Sequence, residues 1–241
     1  MGVYSGPERN VSLQTTSGRS LYSLGVVQDG LVLNLDAGKF YSYPKSGTAW
    51  TDLSGNGNTG TLSATSIGYN SANGGSLTFD GTDDFVSVAN SNSLNPSTNT
   101  LICWAKSDNV NWNVDGCLIS KRDVFIMHPN GQSKTVSYYY RLNENWSQQE
   151  ITISNITIWN MYACSWDGTS INAYLNGALI NSGVKTGPLN TTDTGALEIG
   201  KDDTLSRYLD GNISQVSIYN RALTSGEITQ NFNATRSRFG I

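Results

Sequence analysis

From Gly30 onward, short apolar runs alternate with clusters of Gly, Asn, Asp, Ser and Thr. Leu31, Leu33 and Leu35 recur at every second position, so they share one face of a strand. The same period-two or short continuous apolar pattern predicts strands at 101–106, 118–121, 124–128, 136–142, 150–153, 156–158, 161–166, 171–175, 196–199 and 213–219. Leu77 and Phe79, then Phe85-Val86-Ser87-Val88, flank the turn Asp80-Gly81-Thr82-Asp83-Asp84 and read as a hairpin. Asn176-Gly177 between two apolar runs is a type I′ hairpin signal, because both central residues of that turn take positive φ. Between Ile151, Ile153 and Ile156, Ile158 the apolar parity flips, and a break near Ser154-Asn155 would restore one inward face. One helix is signalled, over 225–233. Thr224-Ser225-Gly226-Glu227 spells a capping box, and Leu223 and Ile228 stand at the staple positions.

Many short strands with turns between them and a single short helix predict an all-β, two-sheet antiparallel sandwich. Residues 1–28 lack that pattern. They read as an extended N-terminal arm that orders on a partner, with Val3, Leu13, Leu21 and Leu24 as its apolar anchors; a terminus with no role is the competing reading. Residues 29–241 form the sandwich domain.

The stretch Gly55-Asn56-Gly57-Asn58-Thr59-Gly60 spells G-x-G-x-x-G, with Asp80 downstream. A dinucleotide site needs a buried strand before the glycines and a helix opening on the last one. Trp50-Thr51-Asp52-Leu53-Ser54 is too short and polar for the strand, and residues 61–68 have no helical period, so the stretch reads as a turn.

Composition narrows the chemistry. Charged residues are 14% of the 241, and Gly numbers 25 against five Pro, as in a turn-rich β protein. A net charge of −4 gives no electrostatic reason for nucleic-acid binding. No apolar run approaches the roughly 20 residues of a membrane helix. Residues 1–9 lack the basic and apolar segments of a secretory leader. Cys103, Cys117 and Cys164 show no C-x-x-C spacing and read as buried thiols; a Cys103–Cys164 disulfide is the minor alternative.

Five spaced stretches together resemble a known family. They are Trp50-x-Asp52-Leu53-Ser54-Gly55-Asn56-Gly57-Asn58, Leu77-Thr78-Phe79-Asp80-Gly81-x-Asp83-Asp84-Phe85-Val86, Tyr174-Leu175-Asn176-Gly177, Leu197-Glu198-Ile199-Gly200, and the run from Gly211 to Thr224. In this order they resemble the laminin-G-like, concanavalin A-like lectin/glucanase jelly-roll domains. The resemblance implies a jelly-roll fold over about 30–233. It leaves function open, since lectins, enzymes, adhesion modules and virion parts share that fold. Many relatives carry Asp-Glu where this chain has Ser214-Gln215. The segments 26–38 and 230–241 also resemble structural proteins of tailed bacteriophages.

Catalysis is not expected. The glucanases that the domain resembles carry Glu-x-Asp-x-x-Glu on one strand, placing two carboxyls about 5 Å apart. None of the five Glu (Glu8, Glu144, Glu150, Glu198, Glu227) has that spacing, and Glu198, between Leu197 and Ile199, is expected to face away from the core. His128, the only histidine, precedes Pro129-Asn130-Gly131 and reads as an exposed residue entering a turn. For binding, Trp112 and Trp146 lie in polar surroundings where an aromatic platform for sugar is expected, with Asn143 beside Trp146. An adjoining subunit is the alternative partner for both tryptophans. Trp50, Trp104, Trp159 and Trp166 read as core. No cofactor is required. Calcium is an optional ligand, since some relatives bind it at the sandwich rim, with Asp83 and Asp202 as the carboxylates; the competing reading is that Asp favours turns. The expected function is that of a non-enzymatic virion surface protein, such as a capsid decoration, spike or fibre component. Its partners would be other virion proteins, further copies of itself and host-surface polysaccharide. A soluble carbohydrate-binding module is the alternative, and a glycoside hydrolase comes third.

Overall fold

The computed structural model describes residues 25–64, 67–114, 116–202 and 207–241. Val3, Leu13, Leu21 and Leu24 of the predicted arm lie outside the described residues. The described chain forms two eight-stranded antiparallel sheets packed face to face, a jelly-roll sandwich, with one short helix near the C-terminus.

The back sheet runs Ala178–Val184, Ser170–Leu175, Asn160–Trp166, Asn99–Ser107, Asp210–Tyr219, Ser76–Asp80, Gly68–Asn70, with Leu31–Asp36 also pairing on Asp210–Tyr219. The front sheet runs Asn145–Thr152, Thr135–Leu142, Phe125–Pro129, Ile119–Lys121, Leu197–Ile199, Val86–Val88, Gly60–Leu62, Ala49–Trp50. Alternation builds the core between them. Leu101, Cys103 and Ala105 point inward from the back sheet, and Phe125, Met127, Tyr138 and Tyr140 from the front. The three cysteines are buried free thiols, and burial pushes the Cys103 and Cys164 thiols up. Trp50, Trp104, Trp159 and Trp166 are buried as expected.

The back sheet is apolar on both faces. Ile102, Trp104, Met161 and Ala163 point outward from it and are covered by Ile228 and Phe232 of the helix, and by Phe239 of the 3₁₀ turn that follows. The Trp104 ring stacks on Phe239 at 4.1 Å and on Phe232 at 5.8 Å. The helix spans Ser225–Thr235, two residues longer than the sequence predicts, and its capping box is complete.

Gly55 and Gly57 take φ of +87° and +76°, and Gly60 opens a strand, so the G-x-G-x-x-G stretch is a turn. Asp52 organises it, accepting from the backbone N–H groups of Asn34, Ser54 and Asn58. Asn176 and Gly177 take φ of +50° and +83°, as a type I′ turn requires. Two local expectations are corrected. Ser76–Asp80 and Val86–Val88 are not a hairpin, because they belong to opposite sheets and the Asp-rich turn carries the chain across the sandwich. After the break following Thr152, Ile153 and Ile156 are inward, whereas Ile158 is 51% exposed.

Candidate functional site

The front sheet presents its outer face differently. The two-residue turn Asn143-Glu144, both at positive φ, closes the hairpin of Thr135–Leu142 and Asn145–Thr152. In that hairpin Tyr138 and Tyr140 face the core, so Tyr139 faces out. Trp146, opposite Arg141, shares that outer face and is 40% exposed. Tyr139 meets Trp146 edge-on at 6.3 Å, and His128 meets Tyr139 edge-on at 6.3 Å. The Arg122 guanidinium lies 5.7 Å from the Trp146 ring centre. These four side chains, with Ile126 and Arg207, line a cleft of about 340 Å³.

A buried carboxylate holds the cleft's two guanidiniums. Asp202 is 0% exposed and sits on the strand pair Lys201–Asp202 and Arg207–Tyr208 beside the sheet. Its Oδ2 accepts from Arg122 Nη1 at 2.6 Å and lies 3.7 Å from Arg207 Nη1. Its Oδ1 accepts from Ser120. Arg207 Nη1 also lies 3.3 Å from His128 Nε2. Asp202 thus contributes to holding two long side chains at the cleft, which removes rotamer freedom a ligand would otherwise have to restrict.

The predicted site residues separate. Trp146 lines the cleft. Trp112 does not, being 1% exposed inside the core and edge-on to Tyr162. Its polar neighbours mark a loop that folds its ring inward. Asn143 lines a neighbouring cleft of about 270 Å³ with Asp123, Arg141, Glu144, Pro188 and Asn190, where Arg141 and Asp123 form an ion pair. Asp202 is not a rim carboxylate open to calcium, because two arginines neutralise it. Asp83 belongs to a different cluster, with one carboxylate oxygen each of Asp80, Asp83 and Asp84 within 4.8 Å of one another. Burial, then the Asp80 and Asp83 charges, push the Asp84 carboxyl up. His128 is buried on the Phe125–Pro129 strand, not exposed at a turn. Glu198 does face away from the core, yet it is buried and accepts from Ser87.

Sequence reasoning missed Arg122, Tyr139, His128 and Arg207 as site residues. The alternation of Tyr138-Tyr139-Tyr140 carried the signal for Tyr139, since only the middle ring can face out. The arginines converge through Asp202 across about 80 residues of chain, the separations being 80 to Arg122 and 5 to Arg207 by number, and no local pattern encodes that.

Residues 80–229 match the family described as the concanavalin A-like lectin/glucanases superfamily. The chain belongs to this superfamily. No curated protein matches it by sequence. Solved structures similar to it include the binding domain of Paraclostridial Mosquitocidal Protein 1, at TM-score 0.68 and 16% identity over 86% of this chain and 52% of that one. The binding domain of Botulinum Neurotoxin DC in complex with SialylT gives 0.68 and 13%, over 87% and 52%. Domain 4 of AbnA, an extracellular GH43 arabinanase of Geobacillus stearothermophilus, in complex with arabinotriose, gives 0.65 and 17%, over 83% and 97%. The superfamily chain therefore spans about half the length of the toxin domains and nearly all of the arabinanase domain. At these identities the likeness shows the shared fold.

Proposed function

We propose that this domain is a non-catalytic carbohydrate-binding module whose ligand face is the Trp146 cleft. The observation that carries the reading is the pairing of a half-open indole with a second outward aromatic, Tyr139, and with guanidiniums held from below. A sugar ring presents C–H groups to an aromatic face and hydroxyls to the donors around it. The cleft offers both, in a concave site largely formed without the ligand. The arabinanase domain, a module of similar size solved with arabinotriose, supports the reading. Trp146→Ala is expected to weaken binding to a responsive glycan at least about tenfold, roughly 1.4 kcal/mol, as loss of a central aromatic anchor does. Glycan-array screening followed by calorimetry on the two proteins measures this. Unchanged affinity in the variant would remove the cleft from the function.

A second proposal concerns where the module is displayed. The resemblance of 26–38 and 230–241 to phage structural proteins supports a place on a virion surface. The two segments are neighbours in the fold: Val27 N–H donates to Asn231 Oδ1 at 2.8 Å, and Gln230 Nε2 donates to the Gly25 carbonyl. The predicted arm, 1–28, would then anchor the module on another virion protein, and repeated copies would convert weak sugar contacts into avidity. Mass spectrometry of purified particles tests this, and particles lacking the chain would refute it.

A further inference from the structure

We infer that the Trp146 cleft and the Asn143 cleft beside it form one extended groove, which takes a linear oligosaccharide along its chain and not a single terminal sugar; this rests on the carbohydrate-binding reading above. The two clefts share a wall. Trp146 lines the first and Arg141 the second, and these two residues are direct partners across the hairpin. Opposite residues of an antiparallel pair stand about 5 Å apart on one face. Arg122 of the first cleft and Asp123 of the second are consecutive in the chain, and Asp123 pairs with Arg141. A ligand that runs off the indole in this direction therefore meets the Arg141–Asp123 pair next, with the second cleft behind it. At about 340 and 270 Å³ each cleft alone lies near the small end of ligand sites, roughly 300 Å³, and the two in line give room for several sugar rings.

The second cleft is built before any ligand arrives. The Asn143 N–H donates to the Pro188 carbonyl at 2.9 Å, and Asn190 Nδ2 donates to the Asp123 carbonyl at 3.3 Å. Gly187 brings this loop so close to the turn that a Cβ there would lie 2.8 Å from the Asn143 Cβ. Two polar groups nevertheless stay unspent. Among the described residues the Asn143 amide and the Glu144 carboxylate, both lining the cleft, enter no hydrogen bond or ion pair. An amide donates and accepts and a carboxylate accepts, which is what the hydroxyls of a sugar require. The turn points the same way. A type I′ turn favours Gly at its second central position, as Asn176-Gly177 has, whereas Asn143-Glu144 holds a glutamate there at φ +64°. The hairpin thus accepts backbone strain and keeps a carboxylate at the cleft, and strain of this kind gathers at ligand sites.

The test uses the full chain and linear neutral oligosaccharides of arabinan, xylan, galactan and mixed-linkage glucan, each from two to six units long, with fragments of any other linear glycan that an array returns. In the series that binds, affinity is expected to rise at least about tenfold between two and five units and then to level off, as a second set of contacts joins the first. Glu144→Gly should lower affinity for the long members at least about fivefold, leave the two-unit member within about twofold, and raise the melting temperature by relieving the turn. That opposition of stability and binding separates a ligand contact from a structural role. Glu144→Gln, which keeps a hydroxyl-binding side chain, should retain part of the gain with length. Trp146→Ala should weaken every length. Affinity that does not change with length, or that Glu144→Gly leaves untouched at every length, would overturn the extended groove and leave the Trp146 cleft standing as a single-sugar site. A response confined to terminal sugars of branched glycans would do the same. Absence of binding to every series and to the array would overturn both readings.

Discussion

At the scale of single residues, Asp202 shows how a side chain's role depends on what converges on it. Its position in a polar turn-like stretch makes it a candidate calcium ligand by type. In the fold it has become the buried counter-ion of Arg122 and Arg207 and an acceptor for Ser120. Replacing it by Asn keeps the shape and removes the charge that pairs with both cations. Asp202→Asn is expected to destabilise the domain by about 1–3 kcal/mol, the range for losing charge-assisted hydrogen bonds from donors that stay partly exposed to water. Urea denaturation measures that, and a midpoint equal to wild type would show that the carboxylate holds nothing. Trp112 teaches the converse. Flanking asparagines make a tryptophan look exposed, but a ring of that size in a loop across a sheet end is worth several kcal/mol when buried, and the loop bends to bury it. Residue type was therefore a good guide to chemistry in both cases and a poor guide to partner.

At the scale of elements, local signals succeeded where the stabilising partners lie close in sequence. The Asn176-Gly177 turn and the Thr224 cap are both closed by atoms within a few residues. Strand pairing is different. Ser76–Asp80 and Val86–Val88 have the sequence of a hairpin, and only the packing of two sheets decides that the chain crosses between them. The helix start offers a measurable test. Glu227 accepts from the Thr224 N–H and binds Arg221 through both oxygens, at 2.5 and 3.0 Å. The Arg221 hydrogen bonds come first in holding its carboxyl down to about 2, from an ordinary 4.5. A carboxyl depressed in the folded state stabilises fully above its unfolded value and ceases to do so as pH falls through the folded one. Its contribution should accordingly fade between about pH 4.5 and 2. Glu227→Gln should cost about 0.5–2 kcal/mol near pH 7 and progressively less on acidification through that window. Thermal melts of both proteins across the window check the convergence, and a gap that widens in acid would contradict this account of the cap.

On the level of the whole molecule, the sandwich has two outer faces, and the chain treats them oppositely. The back sheet's outer face carries Ile102, Trp104 and Met161, and the C-terminal segment seals it with Ile228, Phe232 and Phe239. The front sheet's outer face carries Tyr139, Trp146 and the two arginines, and leaves a cleft. The sequence reveals the first arrangement in part, through an amphipathic helix after the last strand. It conceals the second, because strand register and sheet order decide which outward residues become neighbours. The two faces are separated by a core about 10 Å thick, the usual spacing of packed sheets, and no residue that seals the first lines the second. Energetic independence follows, and it is testable. Phe239 stacks on Trp104 at 4.1 Å and packs on Trp159 at 5.1 Å, so Phe239→Ala opens a gap against two indoles. The loss should be about 2–4 kcal/mol, since substitutions of this kind remove both buried area and aromatic contact. Glycan affinity measured well below the lowered melting transition should stay within about twofold of wild type, because distant sites without shared partners act additively. A variant that melts early and also loses its ligand at low temperature would show that the helix-covered sheet shapes the cleft through the core, and the domain would then have to be treated as one coupled unit.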